Sequence, residues 1–150
     1  MENPLLQMKE SLIVLLKQLD PKVDVFAEEI ELIKSEAGDH SKTYYFVDII
    51  PTGSQTIDEY YTDMTVFIDV AYHDASEKNA VYLQKQMEID AAIRPVLHFG
   101  DRYITINNSS SRVVDRILHY SFSLSFRVSR EKTNEFEPMG ELEMMITKEV

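Results

Sequence analysis

Cysteine does not occur in these 150 residues, so disulfide stapling and thiolate metal sites are excluded. Nor does any apolar run approach the roughly 20 residues that cross a bilayer; the longest candidate, Leu12 to Leu16, is cut by Lys17 and Gln18. A secretion pattern is missing too, because Glu2 and Lys9 fall where a basic leader and an apolar stretch belong. The expectation is a cytoplasmic chain with no membrane partner. Basic residues are scarce: 15 Lys and Arg against 26 Asp and Glu give a formal charge of -11. Affinity for phosphate comes chiefly from Lys and Arg that release counterions, so specific nucleic-acid binding is not expected. What is present is 44% hydrophobic content, enough for one domain with a real core and too little chain for two.

The most regular stretch runs from Arg112 to Val128. Tyr120, Phe122, Leu124, Phe126 and Val128 alternate with His119, Ser121, Ser123, Ser125 and Arg127, which sends successive side chains to opposite faces of a strand. One face is core; the other, with serine in place of charge, suits packing by another protein as well as it suits water. Upstream, Asn3 and Pro4 open an amphipathic helix that carries Leu5, Met8, Leu12, Leu15, Leu16 and Leu19 and stops at Asp20-Pro21. A short strand is expected over Lys22 to Phe26, then an acidic connector with a turn at Gly38-Asp39. Thr43 to Ile50 reads as a strand that gives way to a loop at Pro51-Thr52-Gly53-Ser54. From Tyr60 to Tyr72 the chain alternates again, with Asp63, Thr65 and Asp69 on the polar side, and the two strands should pair as a long hairpin. Asp74 with Glu77 resembles a capping box for a second helix, whose stripe is Ala80, Leu83, Met87 and Ala91 and whose end is Pro95. Gly100-Asp101 then turns the chain into a strand from Arg102 to Val114, broken near Asn107 to Ser111, and Asp115-Arg116 reverses it. The expected fold is α+β: a mainly antiparallel sheet of two hairpins flanked by an N-terminal and a central helix over residues 1–130, with an extended tail over 131–150.

Catalytic patterns are weak. His40, His73, His98 and His119 show no His-Glu-x-x-His pair. Asp48, Asp63 and Asp69 would have to gather across strands to hold magnesium, and no suitably spaced lysine accompanies them. Ser109-Ser110-Ser111 lacks a nucleophile elbow, and Pro51-Thr52-Gly53-Ser54 lacks a phosphate-cradling lysine, so both read as loops. No cofactor, metal or enzymatic activity is expected. An acidic decoy that mimics nucleic acid is a third class, but the acids concentrate in a connector and a tail instead of an ordered surface.

Three stretches carry a family resemblance: Val113-Val114-Asp115-Arg116-Ile117-Leu118-His119-Tyr120, a valine-aspartate turn leading into a Leu-His-aromatic strand; Tyr44-Tyr45-Phe46-Val47 with the following polar loop and Tyr60-Tyr61; and Pro138-Met139 to Leu142. In these the chain resembles the tail terminator proteins of tailed phages and phage-tail-like particles of Gram-positive bacteria, over nearly its whole length. It departs at Arg116, where the family commonly has glycine. The resemblance implies a non-enzymatic virion protein, made in the host cytoplasm, that forms a homo-oligomeric ring. That ring is a hexamer which caps the tail tube at its final length and joins it to the head connector. Contact with a tail sheath protein is left open, as is another head-tail connector or tail completion role.

Interaction residues follow from pattern and resemblance together. The polar loop Thr52, Gly53, Ser54, Gln55, Thr56, Ile57, Asp58 and Glu59 reads either as plain solvent loop or as the part that reaches the tube or channel. Tyr61 and Phe67 lie on the polar side of their strand, and with Arg112, Arg127 and Arg130 they make a seam of aromatic anchors and charge pairs between subunits. Phe136, Met139, Leu142, Met144, Met145 and Ile146, set among acids, read as a docking segment that folds back on its own sheet or adds to a neighbour's sheet edge.

Overall fold

The chain enters the fold through a capped helix. Asn3 accepts hydrogen bonds from the amides of Leu5 (2.9 Å) and Leu6 (3.3 Å), Pro4 occupies the first turn, and α1 runs Pro4–Leu19. Its Met8, Leu12 and Leu16 are fully buried, each a burial that stabilises by roughly 2 kcal/mol. Asp20 closes the helix, its amide donating to Leu16. The computed structural model describes residues 3–28, 31 and 42–129; the Gly38-Asp39 turn, Arg130 and the 131–150 tail lie outside them.

Among the described residues seven strands follow: β1 (Asp24–Phe26), β2 (Tyr44–Thr56), β3 (Tyr61–His73), β4 (Val96–Phe99), β5 (Arg102–Thr105), β6 (Ser110–Val114) and β7 (Ile117–Ser129), with α2 (Asn79–Ile93) between β3 and β4. Five strands make one sheet in the order β1-β2-β3-β7-β6, and β4-β5 form a separate hairpin. Among the described strands only β1 is parallel to its neighbour; the other ladders are antiparallel. Helices α1 and α2 and the β4-β5 hairpin cover one side of the large sheet. Val47, Val66, Ile68, Val70, Tyr120, Phe122, Leu124 and Phe126 from the sheet meet Met8, Leu12, Leu16, Tyr82, Ile89 and Ile93 from the helices in one core, while Phe99 of the small hairpin packs edge-on against Phe126, ring centroids 5.5 Å apart.

The α+β class, the long hairpin and the two-sided β7 match the sequence expectation, and four boundaries differ. First, β2 does not stop at Ile50. Pro51 pairs with Val66 and Gly53 with Thr65, so Thr52 is an extra residue in the ladder, and its hydroxyl donates to the Thr65 carbonyl at 3.1 Å. Proline is tolerated because β1 pairs only as far as Phe46, leaving the rest of β2 an edge where no N–H is needed. Second, α2 begins four residues late, with Lys78 and not Asp74 at its cap position. Asp74 instead closes a turn, accepting from the Ser76 amide at 3.0 Å, and Glu77 takes φ 54°. Third, the buried face of α2 is Tyr82, Lys85, Ile89 and Ile93; Ala80, Leu83, Met87 and Ala91 face outward, with Leu83 64% and Met87 67% exposed. Fourth, Arg102 to Val114 is two strands in different sheets, because Gly100-Asp101 closes the β4-β5 hairpin and Ser110-Ser111 belong to β6, not to a loop.

Lys85 reaches the core because its charge is answered there. Its Nζ lies 2.6 Å from Asp20 and 3.0 Å from Glu88 and 4.9 Å from the Tyr72 ring centroid. Burial alone would lower its pKa, but the two carboxylates outweigh this and raise it. Tyr45 also donates to Asp20, so one carboxylate ties the end of α1 to α2 and β2.

Candidate interaction surfaces

Past Val66 the β2-β3 hairpin outruns the core, and residues 51–60 are all exposed. The connection is Ile57 to Tyr60, shorter than the eight-residue loop expected from sequence, and Thr52 to Thr56 are strand. Asp58 shapes the tip: its carboxylate accepts from the amides of Tyr60 (2.7 Å) and Tyr61 (3.0 Å), while the Ile57 amide donates to Tyr61 at 3.0 Å. This is an Asx-type turn. Ile57, Tyr60 and Tyr61 stand 40%, 45% and 43% exposed on it. Tyr60 therefore belongs to the tip and not to the core stripe, a placement that periodicity could not give because the chain leaves the ladder between Thr56 and Tyr61. Gly53 has nothing within 4 Å of where a Cβ would be.

The other broad surface is the side of the sheet opposite the helices. Tyr61, Phe67, Arg112 and Arg127 all lie on it, as their strand positions predict. Arg127 is engaged within its own sheet: Nε and a terminal nitrogen donate to the two oxygens of Asp63 at 2.8 and 3.3 Å, and the guanidinium sits 6.0 Å from the Tyr61 centroid. The fork holds the Asp63 carboxyl below its ordinary range and the Arg127 pKa up. Thr65 and Ser125 hydroxyls pair at 3.1 Å, and His119 Nδ1 lies 2.9 Å from Asp69. Asp48, Ile50, Phe67, Asp69, Arg112 and His119 line a shallow concavity of about 540 Å³ here. Arg130 and the tail residues Phe136, Met139, Leu142, Met144, Met145 and Ile146 lie outside the described residues.

The β6-β7 turn is held from behind. Asp115 and Arg116 have φ of 53° and 64°, the two positive values that a type I′ turn requires. The Tyr82 hydroxyl donates to the Arg116 carbonyl at 2.5 Å and accepts from the Asp74 amide at 3.1 Å. Beneath it, fully buried His73 bridges the Lys42 carbonyl (2.6 Å) and Glu77 (3.0 Å). Tyr82, His73 and Asp20 were not recognised from sequence as organising residues; each works through contacts more than 20 residues distant in the chain.

Chemistry is not what these residues are arranged for. Asp63 is taken by Arg127 and Asp69 by His119, and six residues along one strand put those two carboxylates roughly 20 Å apart. His98 stacks on Tyr103 at 4.2 Å. Among the described residues no three His, Asp or Glu side chains come together as a metal site, and no helix there is long and apolar enough to cross a membrane. No curated protein matches the chain. Residues 7–135 match the model of a family described as phage tail terminator protein, a structural and non-enzymatic component of the virion tail. The chain thus belongs to the phage tail terminator family.

Proposed function

We propose that copies of this chain close into a ring, six in number, that caps the tail tube at its final length and offers its other side to the head connector, in a phage or phage-tail-like particle of a Gram-positive host. Family membership implies the tube as partner; the six-fold count and the connector come from the resemblance read in the sequence. The carrying observation is the β2-β3 tip. A hairpin that leaves its core, shaped by Asp58 and ending in Ile57 and Tyr60, is preorganised to seat apolar anchors in a partner's pockets, where ordering costs less. A ring of this kind needs a heterologous contact that closes by rotation. The open side supplies candidates in Tyr61, Phe67 and Arg112, with Arg127 already fixed by Asp63 and Arg130 three residues further along the sequence. Residues 131–150 serve as the docking segment, because Phe136, Met139, Leu142, Met144, Met145 and Ile146 set apolar side chains among acids. The formal charge of -11 suits a channel that passes DNA without holding it. Particles made without the chain should have overlong tails, and adding the purified chain to growing tubes should restore the length and leave rings at tube ends in electron micrographs. Tails of normal length in its absence would reject the reading.

A further inference from the structure

The two edges of the large sheet are built differently. On the β2 side, the edge beyond Phe46 carries Pro51 and the Thr52 bulge, both devices that discourage further pairing. On the other side, β6 carries none: Ser110-Ser111-Arg112-Val113-Val114 is exposed throughout, with no proline, glycine or bulge. Its two-residue turn makes Val114/Ile117 a hydrogen-bonded pair, as are Arg112/His119 and Ser110/Ser121, so Ser111 and Val113 direct N–H and C=O outward. Val113 is 47% exposed, and Arg112 makes no ion pair among the described residues.

We propose that the β6 edge accepts an added strand from residues 141–146 of a second copy. The claim rests on the ring reading above and names the acceptor within it. Glu141-Leu142-Glu143-Met144 alternates, so a strand laid on β6 sets Leu142 and Met144 on the side of Val113 and both glutamates on the side of Arg112. The donor is another copy because the ring reading requires a contact between copies, and a path back along the chain's own β7 edge is obstructed. Ser129 lies eight residues past Ser121, roughly 27 Å at ordinary strand rise. The intervening β7 edge is flanked by the 102–108 segment, with Arg102 donating to the Arg127 carbonyl at 2.7 Å.

The cysteine-free sequence gives a clean test. Ser110 belongs to a pair hydrogen-bonded to β7, so it faces an added strand in the non-hydrogen-bonded geometry that suits a disulfide. Full-length Ser110→Cys is mixed with Glu143→Cys, and separately with Glu141→Cys, on tail tubes and oxidised. A covalent heterodimer is expected in at least one mixture and in neither variant alone. Adding Val113→Pro, which removes only an outward N–H, should abolish it while leaving circular dichroism and cooperative melting intact. Dimers of Ser110→Cys alone would mean that edges pair with each other. A Ser110→Cys/Glu143→Cys chain that closes on itself would place the tail in cis. Each overturns the proposal. Absence of any heterodimer on tubes that the wild-type chain caps normally overturns it and leaves the terminator reading standing; a wild-type chain that caps no tube removes both.

Discussion

Arg116 occupies a position that the turn would give to glycine. Its φ of 64° lies in the left-handed region, which costs a non-glycine residue about 1 kcal/mol, and its ion pair with Glu77 at 3.5 Å involves a side chain 74% exposed, which returns little. The turn survives because Tyr82 donates to the Arg116 carbonyl, a contact that glycine would keep. Arg116→Gly should therefore stabilise the chain by about 1 kcal/mol in urea unfolding, and an unchanged or lower midpoint would show that the side chain matters more than its backbone. Lys85 is the opposite case, a charge whose removal strands its partners. Lys85→Ala should cost about 2 kcal/mol, at the low side for a broken buried pair because Asp20 and Glu88 keep some water. The pH signature follows from Glu88, whose pKa is lowered from the ordinary 4.5 by hydrogen bonds from Gln84 and Lys85. A lowered carboxyl stabilises above its unfolded pKa and loses that contribution as pH falls through the folded one. The wild-type melting temperature should thus drop below about pH 4.5, and the Lys85→Ala chain should show a shallower acid limb.

Among the elements, the β2-β3 hairpin and α2 carry the main revisions. Pro-Thr-Gly-Ser is loop chemistry in isolation, yet an edge position with a bulge absorbs it into a strand. For α2, two apolar stripes compete, and the one with Leu83 and Met87 looks purer. The sheet buries the other because Tyr82 and Lys85 find Arg116, Asp20 and Glu88 waiting for their polar ends. At the tip, Ile57→Ser with Tyr60→Ser leaves the Asp58 hydrogen bonds in place, so stability should move by no more than about 0.5 kcal/mol. Capping should fail, with tails running beyond normal length. Normal tails from that variant would remove the tip from the tube contact.

For the whole molecule, the question is whether the core stands without its C-terminal segment. Among the described residues the core cluster draws on Met8 to Phe126; with residues 131–150 as a docking segment, truncation after Arg130 should leave a chain that melts cooperatively, with a midpoint close to full length, but no longer joins tube to connector. A truncated chain without a cooperative transition would place residues 131–150 in the core and end their role as a docking segment.

Sequence alone determined what local physics governs. The N-cap at Asn3, the α1 stripe, the alternation of β7 and the reversal at Asp115-Arg116 all depend on neighbours within a few residues, and the α+β class follows from their order. Charge and the missing cysteines bounded the partners in the same way. Only the tertiary structure decided which face of α2 is buried, where β2 ends, that Tyr60 sits at a tip, and that β6 presents an open edge. Each of these depends on which segment lies opposite, across separations such as Asp20 to Lys85 or Tyr82 to Arg116, and hydrophobic period carries no record of a distant carboxylate or carbonyl that makes a polar side chain acceptable inside.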